Sequence, residues 1–146
     1  MNFYDELAVA IKARIQGISV ANGYRTDIGL RVFDGRRRLD EGSLPCAVIV
    51  EEDDEPAGQQ RANAKVVARF AVEGVASCDP DNPNVVGRDI VADIKRALWS
   101  GDLTFGNRAI AFEYGGRTIA PREDGLDQVS AAVTFSVTFA ESLAAG

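Results

Sequence analysis

The sequence predicts an α+β fold: a mainly antiparallel sheet with two helices packed on one face. Two stretches carry apolar residues at helical spacing, and several others alternate apolar and polar residues with a period of two. The resulting order is α-β-β-β-α-β-β-β, in which strands outnumber helices. At 146 residues the chain fits one domain, 1–146, and can bury roughly 68–70% of its unfolded surface without a disulfide or metal.

The first helix is marked by Phe3, Leu7, Ile11, Ile15 and Ile18, with alanines between them. Asn2 is its expected N-cap, Asp5 and Glu6 suit the positive end of the helix dipole, and Gly17 or Gly23 ends it. Ile28 to Phe33 alternates like a strand, Asp34-Gly35 signals a turn, and Arg36 to Ser43 reads as a polar loop. Pro45 to Glu51 (PCAVIVE) is a short strand buried on both faces. Glu51 to Gln60, with five acids, a proline, a glycine and two glutamines, reads as a break: a mobile loop or a segment ordered by a partner.

Ala64 to Ser77 is a long strand with Val66, Ala68, Phe70, Val72 and Gly74 on one face and Arg69 and Glu73 on the other. The second helix starts with Asn82 as N-cap and Pro83 in the first turn, carries Val86, Ile90, Ile94, Ala97 and Leu98 inward, and closes at Trp99. Asp89 and Asp93 fall on its opposite face. Ala109 to Tyr114 and Arg117 to Ala120 flank Gly115-Gly116, a hairpin signal. Pro121 to Asp127 is a connection, and Val129 to Phe139 is the cleanest strand, its apolar face alternating with Ser130, Ala132, Thr134, Ser136 and Thr138. That hydroxyl-rich face meets either water or a neighbouring subunit. The tail from Ser142 is expected to fray.

Charge and composition exclude several functions. The net charge is −6 and the pI about 4.7, which disfavours general binding to phosphate backbones or anionic lipid. No apolar run approaches the ~20 residues of a membrane span, and the N-terminus lacks the pattern of a signal peptide. There is no histidine, and the two cysteines, Cys46 and Cys78, stand apart, so no standard zinc site can form. Cys46 is read as a buried filler. Without histidine, a Ser-x-x-Lys pattern, a Walker pattern or G-x-G-x-x-G, nothing supports an enzyme, and no catalytic, cofactor or metal residue is assigned.

The charged clusters are the candidate contact residues. Arg36, Arg37 and Arg38 form the one basic run, suited to a phosphate or an acidic partner surface, or else a solvated tip balanced by Asp34, Asp40 and Glu41. Glu51, Glu52, Asp53, Asp54 and Glu55 lack EF-hand spacing and read as a solvated loop available to a protein partner.

Taken in order, the N-terminal helix, PCAVIV with its acidic segment, the long strand, DPDNPNVVGRDIVADIKRALWSGD and RTIAPREDGLDQVSAAVTFSVTFAE resemble the tail terminator (tail completion, minor tail) proteins of long-tailed bacteriophages and related prophages. The resemblance spans about residues 1–142, and ALWSGD and REDG with its following strand are its most telling pieces. It implies a structural subunit, not an enzyme and with no cofactor, that closes into a homohexameric ring. The ring would cap the tail tube, end its polymerisation and present a surface to the head-tail connector or stopper. It further implies a place at the head-proximal end of the virion tail, assembly in the host cytoplasm, DNA only as cargo passing through the lumen, and no membrane. Another head-tail joining protein (a stopper or connector adaptor) and a small-molecule-binding α+β domain are the alternatives.

Overall fold

A computed structural model describes residues 2–120 and 125–145. Helix α1 (Phe3–Gln16) and helix α2 (Pro83–Trp99) lie on one face of a five-stranded sheet built from β1 (Val32–Asp34), β2 (Cys46–Gln60), β3 (Asn63–Ser77), β4 (Ala109–Ile119) and β5 (Gln128–Ser142). The strand order is β1-β2-β3-β5-β4. All neighbours are antiparallel except β1 and β2, which run parallel. No helix among the described residues is long and apolar enough to cross a membrane.

The core follows from the two periodicities. Phe3, Leu7, Ile11 and Ile15 of α1 and Ile90, Ile94 and Leu98 of α2 meet the inward residues of β3 and β5, from Val66 to Val72 and from Val129 to Phe139, in one apolar cluster. Asn2 and Asp5 form a reciprocal capping box, and Gly17 caps the other end of α1. Arg14 ties the helices together. Its guanidinium donates to the Leu98 carbonyl at 2.8 Å and to the Asp102 carbonyl, and lies 4.3 Å from the Phe105 ring centre.

Several sequence expectations are corrected. Ile28 to Phe33 is not a strand: Ile28–Leu30 is a 3₁₀ turn, and only Val32–Asp34 pairs. Gly29 explains this, since its N–H donates to the Ile18 carbonyl at 3.0 Å and a Cβ there would collide with the backbone of Ile15 and Ile18. Glu51 to Gln60 is not a break. It continues β2, paired with β3 up to Gln60↔Asn63, with register shifts between Glu51 and Asp54 and between Pro56 and Gln59. The turn at Arg61, with φ of 57°, supplies the left-handed geometry of a two-residue hairpin loop and fixes the register.

Gly115-Gly116 is no hairpin either. β4 runs through it, and the pairing steps from Tyr114↔Phe135 to Gly116↔Thr134, a bulge in which a Cβ on Gly115 would lie 2.9 Å from the Thr134 hydroxyl. One strand therefore replaces the two expected. Asn82 is the N-cap residue of α2 as expected, but its side chain makes no capping bond; its amide donates to Asp79 at 3.3 Å instead. Asp93, placed by periodicity on the outer face, is 2% exposed. The tail is held at first: β5 reaches Ser142, and the Leu143 N–H donates to the Ala62 carbonyl at 2.7 Å. Residues 121–124 of the expected connection, which include most of REDG, lie outside the described residues.

Candidate assembly surface

With both helices on one face, the other face of the sheet is left open. Strand alternation sends Val50, Val67, Arg69, Ala71, Glu73, Ser130, Ala132, Thr134 and Ser136 to that side, and all but the small Ala71 are half-buried. The Thr134 hydroxyl donates to the Gly116 carbonyl at 3.3 Å, so it is satisfied within the sheet. Cys46 and Val48 also point away from the helices yet are 0% and 4% exposed. The expected burial of Cys46 holds, and that burial pushes its thiol pKa up.

The two charged clusters flank this open face without touching. Arg36 reaches Glu73 on β3 at 3.1 Å, and the Arg37 guanidinium lies 4.3 Å from the ring centre of Phe33. Among the described residues Arg36 therefore pairs with Glu73 and not with Asp34, Asp40 or Glu41. Arg38 is exposed, Asp40 accepts from the Ser43 hydroxyl at 3.0 Å, and Glu41 opens a 3₁₀ turn (Glu41–Ser43). Four residues along β3, on the order of 13 Å away, Arg69 holds Glu55 at 2.6 Å and Asp53 at 3.3 Å. These are exposed pairs, weakened by solvent screening. Their effect is to fix the direction of side chains more than to stabilise the fold.

The acidic stretch forms the outer half of β2 along an edge of the sheet, where every residue from Glu51 to Gln60 is exposed. The Tyr4 hydroxyl donates to Asp54, and desolvation together with that carboxylate raises the phenol above its ordinary pKa. Desolvation, then the like charges of Asp34 and Asp5, make Glu51 harder to ionise than a free glutamate. A groove of about 300 Å³ is lined by Tyr4, Glu51, Asp54, Arg69 and Phe70 among others. No group of three or more Cys, Asp or Glu among the described residues is placed to hold a metal ion.

The free edge of β4 is a further exposed surface, one that the sequence pattern does not announce. Ile110 and Tyr114 are 61% and 48% exposed there, and Lys95 lies 4.5 Å from the Tyr114 ring centre. The available signal was Ile110 and Tyr114 themselves, large apolar side chains in a strand read as half of a hairpin.

No known protein family and no curated protein sequence matches the chain. Its fold is shared by a chain of a solved structure described as the virion of a native gene transfer agent (GTA) particle. The two superpose with a TM-score of 0.62 at 13% identity, over 92% of this chain and 95% of that one, a likeness of fold along nearly the whole length of both.

Proposed function

We propose that the chain is a structural subunit of a phage-type virion and, within that class, a tail terminator. Six copies would form a ring that caps the tail tube, stops its growth and offers its outer side to the head-tail connector or stopper. The observation that carries this reading is the fold common to this chain and a virion chain over 92% and 95% of their lengths. The open sheet face of small and hydroxyl residues supports it, because such a face is cheap to desolvate against a neighbour. Arg36, Arg37, Arg38, Asp40 and Glu41 on one side and Glu51, Glu52, Asp53, Asp54 and Glu55 on the other would supply contacts of opposite sign. An acidic lumen would let DNA pass without adhering. The subunit would be put together in the host cytoplasm and remain at the head-proximal end of the tail.

Light scattering after size exclusion tests the ring. A mass near six times 15.6 kDa is expected at high concentration or after mixing with purified tail tubes. A chain that stays monomeric in both conditions excludes the ring. Binding to a head connector in preference to the tube would favour a stopper or adaptor in the same virion.

A further inference from the structure

The two edges of the sheet are unlike each other. On one side β1 covers only Ala47 to Ile49, which leaves the exposed half of β2 paired on one side alone. That edge carries Glu51, Glu52, Asp53, Asp54, Glu55 and Pro56, and a proline is tolerated at an edge because no second ladder needs its N–H. On the other side β4 is 11 residues long, also paired only once, and from Ala109 to Gly116 its only charge is Glu113. It is framed by Lys95 and Arg117 on a chain of net charge −6, while Arg108 just before it is paired with Glu6 at 3.0 Å.

Arg69 pairs with Asp53 and Glu55, but Glu51, Glu52 and Asp54 would still face like charges on a second β2 and disfavour that pairing, and Lys95 and Arg117 oppose β4 on β4. What remains favourable is β2 against β4. The directions agree: β2, β3, β5 and β4 alternate, so β4 runs antiparallel to β2 within one subunit. Neighbours related by rotation about a ring axis along the strands keep that relation. A β4 edge meeting the next subunit's β2 edge therefore forms an antiparallel pair, and the contact is head-to-tail, the kind that can close a ring.

We propose that adjacent subunits join edge to edge, β4 of one adding to the 51–60 half of β2 of the next, so that one sheet runs around the assembly. This rests on the ring reading and specifies its contact. The partner is a second copy of this chain, selected by an acidic strand meeting a basic-framed apolar one.

The test uses the full chain assembled at high concentration or on tail tubes. Amide hydrogen exchange should slow at least about ten-fold in both 51–60 and 110–116 on assembly. Ile110→Asp, which sets a new carboxylate against the acidic strand, should raise the concentration needed for assembly by about ten-fold, whereas Ile110→Lys should change it by less than about three-fold. Ile110 is skipped in the β4–β5 register, and circular dichroism of each monomer checks that the fold survives. A ring of the expected mass whose two edges exchange as fast as in the monomer overturns edge pairing and leaves the ring reading standing. Equal loss with both variants overturns the charge selection. A chain monomeric even on tubes overturns the ring and the pairing together.

Discussion

Asp93 is a carboxylate on the wrong side of a helix by pattern, and its partners explain the position. The segment after α1 bends back so that the backbone N–H groups of Arg25 and Thr26 and the Thr26 hydroxyl all donate to it, the shortest at 2.7 Å. A buried carboxylate is tolerated when such donors surround it. Asp93→Ala would leave two backbone donors unpaired and should cost about 2–4 kcal/mol. Urea unfolding of the variant measures this, and a loss below about 0.5 kcal/mol would mean that water replaces the carboxylate freely. Nothing in the sequence revealed this role. Periodicity sorts residues by polarity, and an aspartate that recruits backbone donors from a distant turn carries no local signal.

At the scale of elements, α2 sits close to the sheet because two glycines let it. A Cβ on Gly74 of β3 would run into Ile90 and Ile28, and one on Gly87 of α2 would lie 3.1 Å from Ile119. Ile90 is β-branched within a helix and has little rotamer freedom to yield. Gly74→Ala should therefore destabilise by about 1–3 kcal/mol, despite the better strand propensity of alanine. Equilibrium denaturation decides it; a stabilised variant would mean that the helix can lift away at no cost.

The elements differ in how far local sequence specifies them. Val129 to Phe139 and both helices were legible because their periodicities are long and uninterrupted. The outer half of β2 was not, because acids, proline and glycine describe a segment bathed in water on both faces, and only the ladder offered by β3 makes it a strand. Gly115-Gly116 misled for a related reason. The same positive φ that suits a tight turn, 120° at Gly116, also suits a bulge, and β5 as a continuous partner decides between them. The candidate contact residues were legible as charge, but not the face they flank, since facing depends on where the helices go.

For the whole molecule, the central pairing is non-local. β3 pairs with β5 along their full lengths, from Asn63↔Ser142 to Ser77↔Gln128, with α2 and β4 lying between them in sequence. Loop closure on that scale must precede most of the sheet's stabilisation, so refolding should take on the order of milliseconds to seconds. Stopped-flow dilution from denaturant tests it; microsecond refolding would mean that the helices and the β2–β3 hairpin carry the stability alone. The same topology leaves both sheet edges in place at the end of folding. A single subunit thus carries an exposed apolar strand, and the basic groups around that strand and the acids on the other edge each disfavour like-on-like pairing.

Trp99, the chain's single tryptophan, stands where helix, sheet and edge meet. Its ring stacks on Phe112 at 4.8 Å between centres with 9° between planes, and meets Phe135 and Tyr114 edge-on. Intrinsic fluorescence is therefore a one-site optical reporter. Its emission colour follows the docking of α2 on the sheet. Through Tyr114 the indole also lies one ring away from the β4 edge, so subunit addition there would be readable as light, without a label.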